Sequence, residues 1–338
     1  MTLDRPRTAL VTGSAGFVGQ HLIRHLLDLG YSVHGTVRPG DAAPGGLSRE
    51  ERARIAVHSA DLADRPALER ALDEAQPTHV FHLAGQPFVP DSVRDPESTF
   101  RTNVLGTLAL YEAIRQACRE LPRVVVAGSA EIYGLVRSAD LPLTERSVFN
   151  PANPYAASKV AQYYVGLQAW NLWKLPVLYA VAFNHIGPGQ SDRFVVSSFA
   201  RQLVEMQLGR REPVLEVGNL EARRDFTDVR DVVRAYALLA ERGEPGEAYN
   251  VCSGQARSIA EVERLLEATV EISPERRTDP LRMRPSDLPE LRGDHGKLKA
   301  VTGWVPEIPL EDSLRAIVAG WRDALTPAPI AAREASKS

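Results

Sequence analysis

The side chains best suited to chemistry in this sequence are Tyr155, Lys159 and Ser129. Tyr155 and Lys159 are four residues apart, a spacing that places both on one face of a helix. A phenol can exchange a proton with a carbonyl or an alcohol, and a nearby ammonium favours the phenolate over a phenol whose pKa is ordinarily about 10. Ser129 follows an apolar run and can donate a hydrogen bond to the reacting oxygen. Together these residues predict hydride transfer assisted by a proton relay.

Each residue also has a purely structural interpretation. A tyrosine four residues before a lysine occurs in helices that pair a half-buried aromatic ring with a solvated charge, and a serine after a strand can be a cap. Pro154 before Tyr155 predicts a helix start at this point, which favours the functional interpretation.

A glycine-rich segment near the start of the chain predicts a dinucleotide site. Gly13, Gly16 and Gly19 lie between the apolar run 9–11 and the amphipathic run 20–27. A strand, a glycine turn and a helix in this order let backbone approach a pyrophosphate at the helix N-terminus. The cofactor residues expected from this segment are Gly13, Ser14, Gly16, Phe17, Val18 and Gly19. The alternative is an ordinary turn between a strand and a helix.

Alternating patterns predict the elements that position these residues. Apolar runs predict strands at 8–12, 32–37, 55–58, 79–83, 123–128, 176–183 and 247–251. Helical patterns lie at 17–29, 65–75, 96–118 and 154–172. The alternation predicts an α/β fold, a Rossmann doubly wound parallel sheet with a smaller C-terminal substrate-binding lobe.

The strand and helix pattern also predicts the domain boundaries. We expect an NAD(P)-binding Rossmann domain over 1–185 with a return segment at about 223–255, a nucleotide-sugar-binding lobe over 186–324, and a flexible tail over 325–338. The tail is rich in Pro, Ala and Ser and has no periodicity.

Arg38 at the end of the second predicted strand bears on the choice of cofactor. An NAD enzyme usually has an acid at this place, against the ribose hydroxyls, whereas an arginine suits the 2′-phosphate of NADP(H). NADP(H) is therefore favoured. A solvated loop arginine would leave NAD(H) possible.

Composition excludes several other classes of protein. The net charge of −3 gives no electrostatic reason to expect binding to nucleic acid or membranes. Cys118 and Cys252 both fall in apolar patterns, so we expect two reduced thiols and a cytoplasmic location, with no signal peptide and no membrane-spanning run. His21 and His25 have metal-ligand spacing but no third ligand, so no metal is expected.

The sequence as a whole resembles the extended short-chain dehydrogenase/reductases, the family of nucleotide-sugar epimerases, dehydratases and reductases. Besides the segments above, the resemblance rests on 82–85, 103–107, 184–189, 224–229 and 284–287. Within that family, 86–90, 183–190, 215–220 and 249–254 resemble GDP-4-keto-6-deoxy-D-mannose reductases and GDP-mannose 4,6-dehydratases.

The resemblance implies further site residues. Lys159 would also hydrogen-bond the nicotinamide ribose, and Glu131 would join the catalytic group. Additional cofactor contacts would come from Asp61, Leu62, Leu83, Ala84, Gly85, Phe183 and His185. Substrate contacts would come from Gln86, Ser129, Glu131, Asn184, Phe194, Val217, Arg224 and Arg284.

The choice between reduction and dehydration depends on residues 130 and 131. A 4,6-dehydratase needs a base at C5 and an acid for the departing C6 hydroxyl, besides the tyrosine. Glu131 can be the base, but Ala130 occupies a place where many dehydratases carry Asp or Ser. We therefore expect NAD(P)H-dependent reduction of GDP-4-keto-6-deoxy-D-mannose at C4 to GDP-D-rhamnose, with GDP-mannose 4,6-dehydratase or a 4-epimerase of another nucleotide sugar as alternatives.

Two expectations concern the protein beyond its reaction. A nucleotide sensor on a Rossmann fold is the non-enzyme alternative, but a sensor has no need for Ser129, Tyr155 and Lys159 together. The resemblance also implies a homodimer through the helices at 103–118 and 155–170, where Leu108, Leu110, Tyr164 and Leu167 were candidates for exposed apolar positions.

Overall fold

The computed structural model describes residues 6–282 and 288–326. Their contacts divide the chain into two compact units. The first contains Met1–His185, Arg224–Ala256 and Leu288–Glu307, and the second contains Ile186–Arg223, Arg257–Asp287 and Ile308–Ser338. The sequence pattern predicted that Leu288–Glu307 belongs to the substrate-binding lobe. In the structure this segment belongs to the first unit.

The first unit is built on a seven-stranded sheet in the order β10-β6-β5-β4-β1-β2-β3. Every neighbouring pair in this sheet is parallel. The strands of the protein are β1 (Thr8–Thr12), β2 (Ser32–Val37), β3 (Ile55–Ser59), β4 (His79–His82), β5 (Arg123–Ala127), β6 (Val177–Ala182), β7 (Asn184–Ile186), β8 (Val214–Val217), β9 (Arg223–Asp228), β10 (Ala248–Val251), β11 (Ala256–Ser258), β12 (Glu275–Thr278) and β13 (Glu290–Leu291). The predicted Rossmann sheet is confirmed.

Helices cover both faces of this sheet, which makes it doubly wound. The helices of the protein are α1 (Phe17–Asp28), α2 (Arg49–Ala53), α3 (Arg65–Ala75), α4 (Val89–Arg94), α5 (Pro96–Phe100), α6 (Gly106–Ala117), α7 (Pro154–Trp173), α8 (Val195–Gln207), α9 (Val229–Arg242), α10 (Ile259–Val270), α11 (Gly296–Thr302) and α12 (Leu310–Leu325). A π-helical turn, Arg101–Leu105, joins α5 to α6. Short 3-10 helices lie at 130–133, 138–140 and 280–282.

Alternate residues of the central strands feed two apolar cores. In β1, Leu10 packs in one core with residues of α3 and α6, whereas Ala9 and Val11 pack in the other with residues of α1 and α9. This alternation follows from the two-residue period of a strand. The two cores fix the sheet between its helices, so the carboxyl ends of β1, β4, β5 and β6 are held at one edge.

The second unit contains α8, α10 and α12 together with a small sheet. Strand β8 pairs in parallel with β12, and Val214 lies opposite Glu275. Leu215 and Val217 point into the core of this unit, where they are almost fully buried. Glu216 follows Leu215 in the chain. Its carboxylate forms ion pairs with three arginines at the surface, Arg211, Arg277 and Arg282.

Three features bear on the expectations from the sequence. Both cysteines are free thiols, Cys252 buried and Cys118 partly buried. The dimer hypothesis required Leu110 to be exposed. Leu110 is instead fully buried in the apolar core of its own chain. None of the helices within 6–282 and 288–326 is both long and apolar enough to cross a membrane.

Candidate active site

The glycine turn after β1 leaves no room for side chains. Gly13 has a φ of +70°, and a Cβ at this position would lie 2.9 Å from the backbone nitrogen of Ala84. A Cβ on Gly19 would lie 2.4 Å from the carbonyl oxygen of Gly13. Gly16 precedes the first residue of α1, so the free N–H groups of the helix start at this turn. The turn therefore has the geometry that the glycine spacing predicts for an anion site, and the binding of a pyrophosphate there remains a prediction.

The neighbouring residues of the turn differ in what they offer a ligand. Ser14 is fully buried, and its hydroxyl donates to the carbonyl of Thr36 at 2.9 Å. It ties the turn to β2 instead of offering its hydroxyl to a phosphate. Val18 is partly buried and packs against the core. The contacts of the backbone at these two positions with a cofactor remain a prediction.

Phe17 and His185 form a stacked pair beside the glycine turn. Their ring centroids are 6.1 Å apart and the rings are nearly parallel, at 6°. The His185 Nδ1 lies 3.0 Å from the carbonyl oxygen of Phe183, and burial lowers the pKa of His185. The Phe183 ring itself lies in the core and is 3% exposed. The Phe17 and His185 rings therefore lie against each other beside the glycine turn, and contacts of Phe17, Phe183 and His185 with a cofactor remain a prediction.

The end of β2 and the end of β3 carry the residues expected to recognise the adenosine side. The Arg38 side chain is 73% exposed, and its Nε donates to Asp41 at 2.9 Å. Asp61 accepts from the backbone N–H of Ala63 at 2.8 Å, which shapes its own turn. Leu62 is buried. Arg38 therefore lies at an open edge of the site, where a phosphate would compete with a carboxylate that is already present.

The loop after β4 is held through its backbone. The N–H groups of Leu83 and Ala84 both donate to Thr12 Oγ1, at 3.2 and 3.1 Å. The N–H of Gln86 donates to Asn103 Oδ1 at 2.8 Å, and a Cβ on Gly85 would lie 2.9 Å from the same oxygen. The path of this loop is thereby fixed beside the glycine turn.

Gln86 was expected to contact the substrate. Its side-chain Nε2 donates to the carbonyl oxygen of Phe88 at 3.0 Å, and its Oε1 accepts from the Phe88 N–H. These bonds fold the side chain back on its own loop. A role in substrate binding remains a prediction.

Tyr155 lies in the first turn of α7. The helix is capped by Asn153, whose Oδ1 accepts from the Ala156 N–H at 2.8 Å. Burial raises the pKa of Tyr155 to about 12, a hydrogen bond from Ser129 opposes this shift, and the Glu131 charge adds to it. The sequence predicted that Lys159 would lower this pKa. The net shift of the Tyr155 pKa is upward because the cost of burying the phenolate dominates, and the lowering by Lys159 remains a prediction.

Lys159 is buried next to Tyr155. Its Nζ donates to the carbonyl oxygen of Ala127 at 2.8 Å and to Gln162 Oε1 at 2.9 Å. The distance from Nζ to the centroid of the Tyr155 ring is 6.0 Å. Burial lowers the pKa of Lys159 to about 8. The lysine is therefore close to the tyrosine but is held by bonds to other groups.

Glu131 lies on the 3-10 helix that follows β5. Ser129 caps this helix and accepts from the Glu131 N–H at 3.3 Å. The Glu131 carboxylate accepts from Asn153 Nδ2 at 3.1 Å. Ala130 between them is 2% exposed and offers only a methyl group. Ser129, Glu131 and Tyr155 are thus brought together, and position 130 supplies no proton donor.

The remaining residues expected at the substrate are spread along the chain. In the first unit, Asn184 is exposed and Arg224 donates to the carbonyl oxygen of Leu288 at 2.7 Å. In the second unit, Phe194 precedes α8 and is partly buried, and Val217 is buried. Arg284 lies outside the described residues. The substrate roles of these five residues remain predictions.

Three polar residues near the site were absent from the predicted set. Asn103 is fully buried, and its Nδ2 donates to Ser158 Oγ at 2.9 Å. Asn153 holds Glu131, and Gln162 holds Lys159. The spacing of Gln162, three residues after Lys159, places both on one helix face and was the signal available in the sequence.

Among the residues that the structure describes, no group of three histidine, cysteine, aspartate or glutamate side chains is placed to hold a metal ion.

Comparison with known proteins identifies this arrangement. A model of the family described as GDP-mannose 4,6 dehydratase matches residues 10–317. A GDP-6-deoxy-D-mannose reductase of Pseudomonas aeruginosa is 41% identical over 314 residues, which cover 92% of this chain and 96% of the reductase. A GDP-mannose 4,6-dehydratase of Yersinia enterocolitica is 30% identical over 353 residues, which cover 93% of each chain.

A solved structure gives the same picture. The structure of RMD from Pseudomonas aeruginosa complexed with NADPH has a TM-score of 0.82 and 38% sequence identity. The match covers 94% of this chain and 100% of that one. The range matched by the family model, residues 10–317, contains the glycine turn, the loop after β4 and helix α7.

Proposed function

This chain belongs to the family described as GDP-mannose 4,6 dehydratase, and we propose that within it the protein is an NAD(P)H-dependent reductase of GDP-4-keto-6-deoxy-D-mannose. The product is GDP-D-rhamnose, that is, GDP-6-deoxy-D-mannose. The observation that carries this choice is the 41% identity to a GDP-6-deoxy-D-mannose reductase, against 30% to a dehydratase, over nearly the same share of this chain.

The residues of the site fit a nicotinamide dinucleotide. The glycine turn has no Cβ where the pyrophosphate must approach, and it presents the N-terminus of α1. Arg38 would hold a 2′-phosphate, and Lys159 would hold the ribose next to the nicotinamide. The cofactor supplies the hydride. We propose NADP(H) as the preferred form, since the related structure of RMD is complexed with NADPH, and NAD(H) as the alternative.

Tyr155 supplies the proton in this proposal. A phenol with the ordinary tyrosine pKa of about 10 is already protonated at neutral pH, and burial raises the pKa of Tyr155 further, to about 12. A reductase needs this state, since its tyrosine must donate a proton to the oxygen that develops at C4. Ser129, which hydrogen-bonds Tyr155, steadies the same oxygen. The Lys159 ammonium donates toward the ribose and holds positive charge in the buried site.

Dehydration of GDP-mannose is the second candidate. It is favoured by the family model and by Glu131, whose carboxylate Asn153 holds in one place as a base requires. The methyl group of Ala130 is the observation that weighs against it, because it cannot give a proton to the departing C6 hydroxyl.

One experiment separates these reactions. The purified protein is incubated with GDP-mannose, and separately with GDP-4-keto-6-deoxy-D-mannose and NADPH, and the products are weighed by mass spectrometry. A gain of two hydrogens in the second incubation supports the reductase. Loss of water in the first without any reduction in the second contradicts it and identifies the dehydratase.

We also propose a homodimer through the helices at 103–118 and 155–170, which correspond to part of the π-helical turn with α6, and to α7. Large apolar side chains are exposed along these elements and α4, among them Val93 at 62%, Leu105 at 57%, Tyr164 at 55% and Leu172 at 68%. Leu108 and Leu167 are partly buried. An apolar surface of this kind is typical of an interface. Light scattering should report a dimer at micromolar concentration, and a monomer would contradict the proposal.

A further inference from the structure

A line of buried polar groups leads away from Lys159 to the glycine turn. Gln162 accepts from Lys159 and donates through Nε2 to Thr107 Oγ1 at 2.8 Å. His82 Nε2 lies 2.8 Å from the same hydroxyl oxygen, and His82 Nδ1 lies 2.8 Å from Thr12 Oγ1. Gln162 is 1% exposed, and Thr107, His82 and Thr12 are at most 1% exposed. No part of the reaction proposed above uses these four residues directly.

The hydrogens of this line can be assigned by counting, beginning at Thr12. Its Oγ1 accepts from the N–H groups of Leu83 and Ala84, which occupies both lone pairs of the oxygen. Its single hydrogen must then be donated to His82 Nδ1. A histidine whose Nδ1 accepts in this way carries its own proton on Nε2.

Counting from the other end gives the same answer. The Thr107 hydroxyl donates its hydrogen to the carbonyl oxygen of Asn103 at 2.7 Å, because a carbonyl oxygen only accepts. Its lone pairs must accept from Gln162 Nε2 and from His82 Nε2. His82 is therefore neutral with its proton on Nε2, in keeping with a pKa that burial and, less strongly, the Lys159 charge lower to about 3.

These hydrogen bonds determine how the Lys159 ammonium is oriented. Gln162 cannot rotate its amide, because Nε2 must face Thr107 and Oε1 must face Lys159. With Ala127, it fixes two of the three N–H bonds of the ammonium. The direction of the third bond is thereby determined, and Ala84 at the far end of the line packs against Gly13. One chain of bonds thus joins the lysine to the loop beside the glycine turn.

We propose that Gln162, Thr107 and His82 are positioning residues that set the direction and the proton affinity of Lys159. The proposal rests on the function proposed above for the meaning of that direction, which is a hydrogen bond to the cofactor ribose. It extends that function by naming residues that do not touch cofactor or substrate. If the network only supported the fold, removing one of its hydrogen bonds would leave the titration midpoint of Lys159 unchanged.

The titration of Lys159 tests this without any turnover. The chain has five lysines, so a carbon signal next to each Nζ can be followed by NMR in protein that carries labelled lysine, with Lys159→Met for assignment. Within 6–282 and 288–326, two ionisable side chains face Lys159: Tyr155, whose ring centroid is 6.0 Å from Nζ, and His82, whose pKa responds to the Lys159 charge. We expect a wild-type midpoint below that of the other lysines.

Thr107→Val and Thr107→Ser form a matched pair. Valine keeps the shape but frees the Gln162 amide, so the midpoint of Lys159 should fall by about half a unit or more as the ammonium loses a fixed acceptor. Serine keeps the hydroxyl and should keep the midpoint. Thr302→Val is the control, because Thr302 is also buried and donates to the carbonyl four residues earlier, Leu298, at 2.8 Å. It should leave the Lys159 midpoint unchanged.

Calorimetry with NADPH provides the second measurement. Thr107→Val should weaken binding by about threefold or more, as loss of one aligned hydrogen bond implies, and Thr107→Ser should not. If Thr107→Val does not fold, Gln162→Met tests the same link, and a larger fall of the midpoint is expected because the acceptor itself is lost.

The result that overturns the proposal is a Lys159 midpoint and an NADPH affinity that Thr107→Val, or Gln162→Met in its place, leaves at the wild-type values. Neither measurement depends on which sugar nucleotide is converted. A failure of the reductase assignment would show in the product analysis and would leave the lysine titration as it is.

Discussion

The two charged groups assigned to the cofactor, Lys159 and Arg38, lie in opposite surroundings. Lys159 is 7% exposed and donates to two fixed acceptors. The Arg38 side chain is 73% exposed and pairs with a single aspartate three residues later. A buried charge acts strongly and depends on the whole fold around it, whereas an exposed pair is screened by water and contributes little. The reaction should therefore be hard to change and the cofactor preference easy to change.

The largest effect is expected from Tyr155→Phe, in the buried part of the site next to Lys159. Turnover should fall by about two to four orders of magnitude, because the phenol can no longer give its proton while the shape of the pocket is kept. The affinity for NADPH, measured by calorimetry, should stay near that of the wild type. A variant that turns over at the normal rate would remove Tyr155 from the mechanism.

Lys159→Met should reduce turnover and NADPH affinity together. The wild type should also lose affinity as the pH rises through about 8, the pKa to which burial lowers this lysine. A neutral amine has only two N–H bonds, which Ala127 and Gln162 already accept, so deprotonation removes the bond left for the ribose. Fluorescence titrations with NADPH between pH 6.5 and 9.5 measure this. Equal affinity of both proteins at the low end would show that the lysine does not reach the cofactor.

At the open edge of the site, Arg38→Ala should reduce the preference for NADPH over NADH by about tenfold, as expected for loss of a charge-assisted hydrogen bond. The ratio of kcat/KM for the two cofactors is the measurement. Arg137→Ala is a suitable control, because that arginine is equally exposed and also pairs with an aspartate three residues later. Should both variants keep the wild-type ratio, the 2′-phosphate is recognised elsewhere.

The smallest effect is expected from Glu131→Gln, which should keep reduction within about tenfold of the wild type. The glutamine can still accept from Asn153, so only a negative charge is lost. The decisive assay is the incubation with GDP-mannose. If the wild type releases water from this substrate and the variant does not, Glu131 is a base and dehydration is the reaction.

The fold was largely predictable because its signals are local. The predicted β1 and α3 have the bounds that the structure shows, since an apolar strand before a glycine turn and a capped amphipathic helix each leave a pattern in neighbouring residues. The predicted helix 96–118 is instead α5, a π-helical turn and α6. The propensity of the residues does not reveal that interruption, within which Asn103 bonds to Gln86 and to Ser158.

The site was predictable in its residue types but not in its electrostatics. Spacing identified Tyr155 and Lys159, yet the direction of the Tyr155 pKa follows from burial, which a spacing does not contain. Gln162 was missed for a similar reason. Its partner Thr107 lies on another helix, 55 residues away in the chain, and nothing in either segment alone points to the other.

The π-helical turn Arg101–Leu105 also limits how this chain can vary in length. Such a turn has one residue more than the α-helix it interrupts. Because the turn absorbs this extra residue, deleting a residue here would restore regular hydrogen bonding and leave α5 and α6 close to their present relative orientation. Within the turn, however, Asn103 would shift relative to the backbone of Gln86 and the hydroxyl of Ser158, which it now joins. Such a deletion would keep the helix but weaken the link between the loop after β4 and the helix that carries the tyrosine and the lysine.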